Sequence, residues 1–217
     1  LLSGLDRDPF SSTYGCFDRE YWAWATKDFS NVDLQRAIYP MTVLYLHAFE
    51  GNIWFQQPRV KDWILAAAKF WRQTQHSNGS HDHHYPNEFS FVGVAFPLYE
   101  ISESYRLLLA AGELDADEQE EWQQAMTKGA EFLCRIDEIH GFISNHRIGA
   151  SCALISVYQI TGLAQFQERA KELMSGVLAK ASKEEGWPFE YGGADPGYQT
   201  LATYYLANYI RLTGDND

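Results

Sequence analysis

The sequence predicts an all-α protein whose helices pair into hairpins: an α/α toroid, or an incomplete ring of one. Three observations predict it. Apolar residues recur at three- and four-residue steps along most of the chain, and no convincing strand pattern competes with them. Amphipathic segments with charged outer positions alternate with segments that are apolar on most sides. Long polar loops lead into the later apolar segments, whereas the return connections are short. Such αα-hairpins place their apolar members in an inner layer. Their spacing is uneven, 62 residues from Gly79 to Gly141 and 45 from Gly141 to Gly186, so this is a divergent series rather than a tandem solenoid.

Residues 1–31 read as an irregular N-terminal segment, with Gly4, Pro9, Ser11, Ser12 and Gly15 as turn formers. Its ring- and charge-rich run over 14–24 is expected to pack across the body, with Arg19 paired to a carboxylate. A helix over 32–49 takes Asn31 as its cap and Asp33 in its first turn, with a kink or break at Pro40 and Gly51 closing it. Pro58 precedes an amphipathic helix over 59–76, where Val60, Trp63, Ile64, Ala67, Phe70 and Trp71 share a face. A polar loop over 76–87 leads to an apolar helix over 88–111, bent at Pro97 and ended by Gly112. Asp115, Asp117 and Glu118 open an outer helix that runs to Ile136. An apolar helix over 145–161 stops at Thr161-Gly162. A charged one spans 164–182, a loop fills 184–197, and a ring-rich helix covers 198–213. Seven helices make a little over half of a six-hairpin ring.

At 217 residues the chain fits one domain with a sizeable core. Seven Trp, 13 Tyr and 13 Phe supply rings for that core or for a groove. A formal charge of -12 argues against a general nucleic-acid binder, which needs a basic face. The same charge disfavours long-range steering of an anionic substrate, though a local basic pocket can still hold one. No apolar run reaches the roughly 20 residues of a membrane span, so no membrane partner is expected. Cys16, Cys134 and Cys152 lack metal-type spacing and read as buried thiols. The chain opens on Leu1 rather than Met and ends on a polar tail over 213–217. Both ends fit residues 1–217 being one toroid domain of a longer protein.

Three loops carry groups with chemistry in them. The first is Asn145-His146-Arg147, at the start of a helix. There an amide stabilises negative charge, an imidazole moves a proton near neutral pH, and the helix dipole favours an anion. The plain alternative is that Ser144 or Asn145 caps the helix and His146 bonds locally. The second is the aromatic, Gly-rich loop with Trp187, Glu190, Tyr191 and, at the helix start, Tyr198. Its rings suit sugar faces and its phenols suit acid–base work; packed rings around a turn are the alternative. The third is His81-Asp82-His83-His84-Tyr85. His81 with His84, or His83 with Asp82, could contribute to a metal site, but four contiguous positions cannot all face one ion. A polar loop lining a shared mouth, with His81, His84 and Tyr85 against substrate, is the preferred reading, and no metal or other cofactor is expected. Asp18, Glu20, Asp82, Glu88, Glu190 and Asp195 leave a carboxylate pair for glycoside hydrolysis open. No nucleophile elbow and no phosphate-binding glycine loop occurs.

Residues 141–154, Gly-Phe-Ile-Ser-Asn-His-Arg-Ile-Gly-Ala-Ser-Cys-Ala-Leu, resemble the Asn-His segment of heparinase II/III-type and related alginate polysaccharide lyases. Gly186-Trp187 and Asp195-Pro196-Gly197-Tyr198-Gln199 resemble their Tyr-bearing segment, with Tyr198 falling 52 residues after His146. The resemblance covers 141–204 and, more loosely, the helical layout. It implies an α/α toroid preceding a β-sheet domain, here beyond Asp217, and β-elimination at a uronic acid. Asn145 would neutralise the sugar carboxylate, His146 would be the candidate base and Tyr198 the acid, or acid and base both, with Arg147 as an auxiliary anion contact. Gln199 departs from the family's frequent His. The partner implied is a polysaccharide or oligosaccharide. A toroid glycoside hydrolase and a non-catalytic glycan- or partner-binding helical domain stand as the other readings.

Overall fold

The computed structural model describes residues 2–215, so the last two residues of the polar tail lie outside it. Its regular structure is helical: α1 (Arg19–Trp22), a 3-10 turn (Val32–Ala37), α2 (Ile38–Leu46), α3 (Pro58–Gln73), α4 (Phe91–Ala110), α5 (Ala116–Arg135), α6 (Ser144–Thr161), α7 (Ala164–Lys180) and α8 (Pro196–Thr213). No helix among the described residues is long and apolar enough to cross a membrane.

The helix ends follow local chemistry. The α5 start is a reciprocal capping box: Glu118 N–H donates to Asp115 at 2.8 Å and Asp115 N–H to Glu118 at 2.9 Å. Ser90 accepts from Gly93 N–H to begin α4, and Asp195 accepts from Tyr198 N–H to begin α8. Gly162 and Gly214 end α6 and α8 in the left-handed conformation.

Three expectations change. The helix expected over 32–49 divides into the 3-10 turn and α2, and the break lies at Ala37–Ile38, before Pro40. Pro40 is the third residue of α2, where no intrahelical partner for its nitrogen is needed. The helix expected from 88 starts three residues later, because Asn87 and Phe89 take positive φ. The N-terminal segment contains the turn α1, and its buried Asp18 pairs with the partly exposed Lys27 at 2.6 Å. Arg19 instead donates to Ser3 O and lies over the Trp24 ring.

Helices α2, α4, α6 and α8 contact one another in succession, and α3, α5 and α7 contact one another in succession on their outer side. Helices α4 and α6 lie at the centre, with Phe91 to Tyr105 and Ile148 to Val157 buried. Their buried polar groups satisfy each other: Ser102 donates to Ser156, Ser156 to Glu103, and Arg211 of α8 pairs with Glu103 at 2.7 Å. Close approach of α6 to α4 requires Gly149, where a Cβ would run into the Phe96 ring. Cys16 and Cys152 are buried, while Cys134 is only half-buried.

A candidate site where three loops meet

The N-cap of α6 is Ile143, which has no side-chain acceptor for the free N–H groups of the first turn. Glu190 supplies one from 45 residues away. Asn145 N–H donates to its Oε1 at 2.8 Å, and the Asn145 amide donates to its Oε2 at 3.0 Å. Beside them Ser144 donates to the Phe189 carbonyl at 2.6 Å, and Ile143 bridges Glu190 in antiparallel register. The loop before α8 is thus stitched to the start of α6, and a carboxylate already sits where the helix dipole favours one. Burial pushes the Glu190 carboxyl up, against the two Asn145 hydrogen bonds. Asn145 is wholly buried, and its Oδ1 has no hydrogen-bond partner among the described residues.

His146, one residue on, faces a different carboxylate. Its Nδ1 lies 2.5 Å from Oε2 of Glu138, in the turn after α5. Glu138 also accepts from His140, at 2.7 Å from Nδ1 and 3.0 Å from the backbone N–H. Burial raises the Glu138 carboxyl, but the hydrogen bonds from His146 and His140 outweigh it and hold the group at about 2. The His146 ring stands edge-on to Phe96, which lies flat against Tyr205 at 4.7 Å. His146 Nε2 makes no hydrogen bond among the described residues, and the side chain stays 14% exposed.

Tyr198 and Tyr191 form a pair, their rings 5.7 Å apart. Burial, the hydrogen bond with Tyr198 and the charges of Glu190 and Glu138 push the Tyr191 hydroxyl up to about 12. Both rings remain exposed, Tyr198 at 37%. From the third loop His83 reaches the same place. Its basicity is lowered by burial first, then by His84, whose ring is 3.7 Å away, and by His146. Its Nδ1 is buried without a hydrogen-bond partner among the described residues. His146 thus lies within electrostatic reach of the histidine loop and of Glu190 in the loop before α8.

The other candidates are placed as follows. His81 is in the core, stacked on Trp71 and bonded to the Trp71 carbonyl; burial lowers its imidazole to about 4. His84 and Tyr85 are exposed, and their backbone N–H groups donate to Glu88. Arg147 is buried, pairs with Asp137 at 3.1 Å and lies over Phe142 at 4.3 Å. Lys180 approaches the same ring from α7, a cation that sequence reasoning missed. Trp187 is half-buried and donates to Glu185. Asp82 accepts from His76 and from Glu88 N–H, and among the described residues no three His, Cys, Asp or Glu side chains converge to hold an ion.

A cleft of about 580 Å³ opens between Tyr39 and Pro40 of α2 and Leu201 and Tyr204 of α8, with Glu100 of α4 among its lining residues. Tyr204 donates to the Glu100 carboxylate at 3.1 Å. Another cavity, of about 1010 Å³, lies between the N-terminal segment, α3 and α5 and contains none of these groups.

Comparison with protein families finds the ulvan lyase N-terminal domain over residues 31–203. The chain belongs to that family. The ulvan lyase match runs from the α2 region into α8, so all three loops, Asn145, His146 and Tyr198 fall inside it. The likeness to polysaccharide lyases read from residues 141–204 therefore stands at that level, with the ulvan lyase domain as the member found rather than a heparinase II/III-type or alginate lyase. Comparison with curated proteins and with solved structures finds no match.

Proposed function

We propose that this ulvan lyase N-terminal domain serves a polysaccharide lyase that cleaves a uronic-acid-containing chain by β-elimination. In this reading α2, α4, α6 and α8 are an arc of an α/α toroid, and a β-sheet domain follows in the longer protein. His146 takes the proton from C5 of the uronate. The electrons of that C–H bond form the C4–C5 double bond, the C4–O bond to the next sugar breaks, and the departing oxygen takes a proton from Tyr198. Neutralising the sugar carboxylate acidifies C5. The Asn145 amide and the α6 N-terminus are built for that task, but Glu190 holds them, so a substrate carboxylate engages them only by exchanging with Glu190. His84, Tyr85, Trp187 and Tyr191 would line the approach.

The observation that carries the reading is a family match that runs through both the Asn145-His146 segment and Tyr198. The hydrolase reading loses ground because its loop carboxylates are engaged: Asp82 with His76, Glu190 with Asn145, and Asp195 as the α8 cap. The test is incubation of the full-length protein with ulvan and a panel of other uronate polymers, following absorbance from the unsaturated product. Absorbance should rise for at least one polymer, and Y198F and H146A should each lower that rate by about 10²- to 10⁴-fold. A folded protein that yields no such product from any polymer overturns the proposal; binding without turnover would identify a glycan-binding domain instead.

A further inference from the structure

We infer that Glu138 is a positioning residue, which locks His146 in the tautomer that presents a bare Nε2. Its catalytic meaning rests on the lyase reading above; its physical test does not. The Glu138 side chain is 2% exposed and accepts three hydrogen bonds, from His146, the His140 ring and the His140 backbone. A carboxylate in that setting is ionised and can only accept. At 2.5 Å from it, His146 Nδ1 must donate, so Nδ1 carries the proton. In the neutral ring the lone pair then belongs to Nε2, the nitrogen with no bond to the protein among the described residues. A base needs that combination: one nitrogen tied down, the other open to substrate.

The neighbours of His146 favour the same arrangement. Phe96 stands edge-on at 5.8 Å and fixes the ring plane from α4. Gly149, one turn further along α6, lets Phe96 come that close. The charged or titratable groups around the ring are Glu138 from the turn after α5, His83 from the loop before α4 and Glu190 from the loop before α8. Of these only Glu138 bonds to the ring. His140 shares the same carboxylate but is two-thirds exposed, so it reads as a partner that steadies Glu138 rather than as a second base.

The role is not legible as a motif. Glu138 precedes His146 by eight residues and lies outside α6, and only the turn at 136–143 folds it back beneath the ring.

The test is a nitrogen-15 NMR measurement on histidine-labelled protein, with His140 and His146 assigned through H140A and H146A. In the parent, at a pH where the ring is neutral, His146 should show the shifts of the Nδ1-protonated tautomer. In E138Q that preference should be lost, because the side chain facing Nδ1 is then no longer an obligate acceptor. With a cleavable polymer in hand, E138Q should lower kcat by on the order of 10² or more and leave KM nearly unchanged. A parent His146 carrying its proton on Nε2 overturns the inference without any variant, even if E138Q does not fold. A tautomer unmoved in folded E138Q overturns it as well. If the tautomer result holds while no polymer is cleaved, it is the lyase reading that fails.

Discussion

Glu100 shows how one buried carboxyl writes a pH dependence into the protein. It is 4% exposed, and burial raises it from the usual 4.5 of a glutamate to about 7 against the pull of Arg36 and the Tyr204 hydroxyl. A carboxyl raised in the folded state binds its proton more tightly there than in the unfolded chain. Stability therefore falls as pH rises from about 4.5 to about 7, by an amount on the order of 3 kcal/mol. E100Q carries no charge and should flatten that slope. Denaturant midpoints of parent and variant at pH 5 and pH 8 check it; a parent equally stable at both sinks the claim. Glu138 acts in a separate window, since its lowered carboxyl adds stability that is lost only as pH falls from about 4.5 through about 2. At this scale the sequence was informative where chemistry is contiguous and silent where it is made through space. Asn145 and His146 stand out as neighbours at a helix start. That they point at different carboxylates, Glu190 and Glu138, depends on two loops whose paths no local pattern encodes. His81 looked like the other loop histidines, yet its ring is in the core because Trp71 offers a face and a carbonyl. His83, the neighbour that does approach His146, had no signal to separate it from His84.

At the scale of the element, the periodicities and caps were legible because they are local. Asn31, Asp115 and Thr161-Gly162 mark ends that the structure keeps. The starts and ends that moved are those set by tertiary contacts or unusual backbone: α4 waits for Ser90 because Asn87 and Phe89 are left-handed, and α6 takes its cap from Glu190. Gly149 is an element-scale position that propensity misjudges. In an isolated helix, alanine there would gain about 1 kcal/mol. In this protein the new methyl meets Phe96, which cannot yield, being flat on Tyr205 on one side and edge-on to His146 on another. Overpacking of this kind costs about 1–3 kcal/mol, so G149A should be net destabilising and should disturb His146. Thermal unfolding together with the His146 ring resonances checks both halves; a stabilised G149A with unmoved resonances would show that α4 and α6 pack more loosely than the structure has them.

For the whole molecule, the alternation of amphipathic and apolar segments announced two layers, and contacts among α2, α4, α6 and α8 on one side and α3, α5 and α7 on the other deliver them. Net charge was equally plain, and it sets a condition on the proposed function. A chain of charge -12 repels a uronate polymer at long range, while the attraction it offers is short-range: Arg147 and Lys180 around Phe142, the histidines at the loop junction and the α6 N-terminus. Salt screens the two unequally. At about 0.01 M the Debye length is about 30 Å and the whole molecule's charge reaches an approaching polymer; at about 0.1 M it is about 10 Å and only the local groups matter. Raising ionic strength across that range should therefore raise kcat/KM for a uronate polymer, the reverse of an electrostatically steered enzyme. The rise should appear in kcat/KM and not in kcat, because only the encounter is being changed. Initial rates at low substrate over a salt series decide it. A steady fall of kcat/KM with salt would mean that the polymer meets a positive field, and that the basic groups rather than the net charge govern its approach.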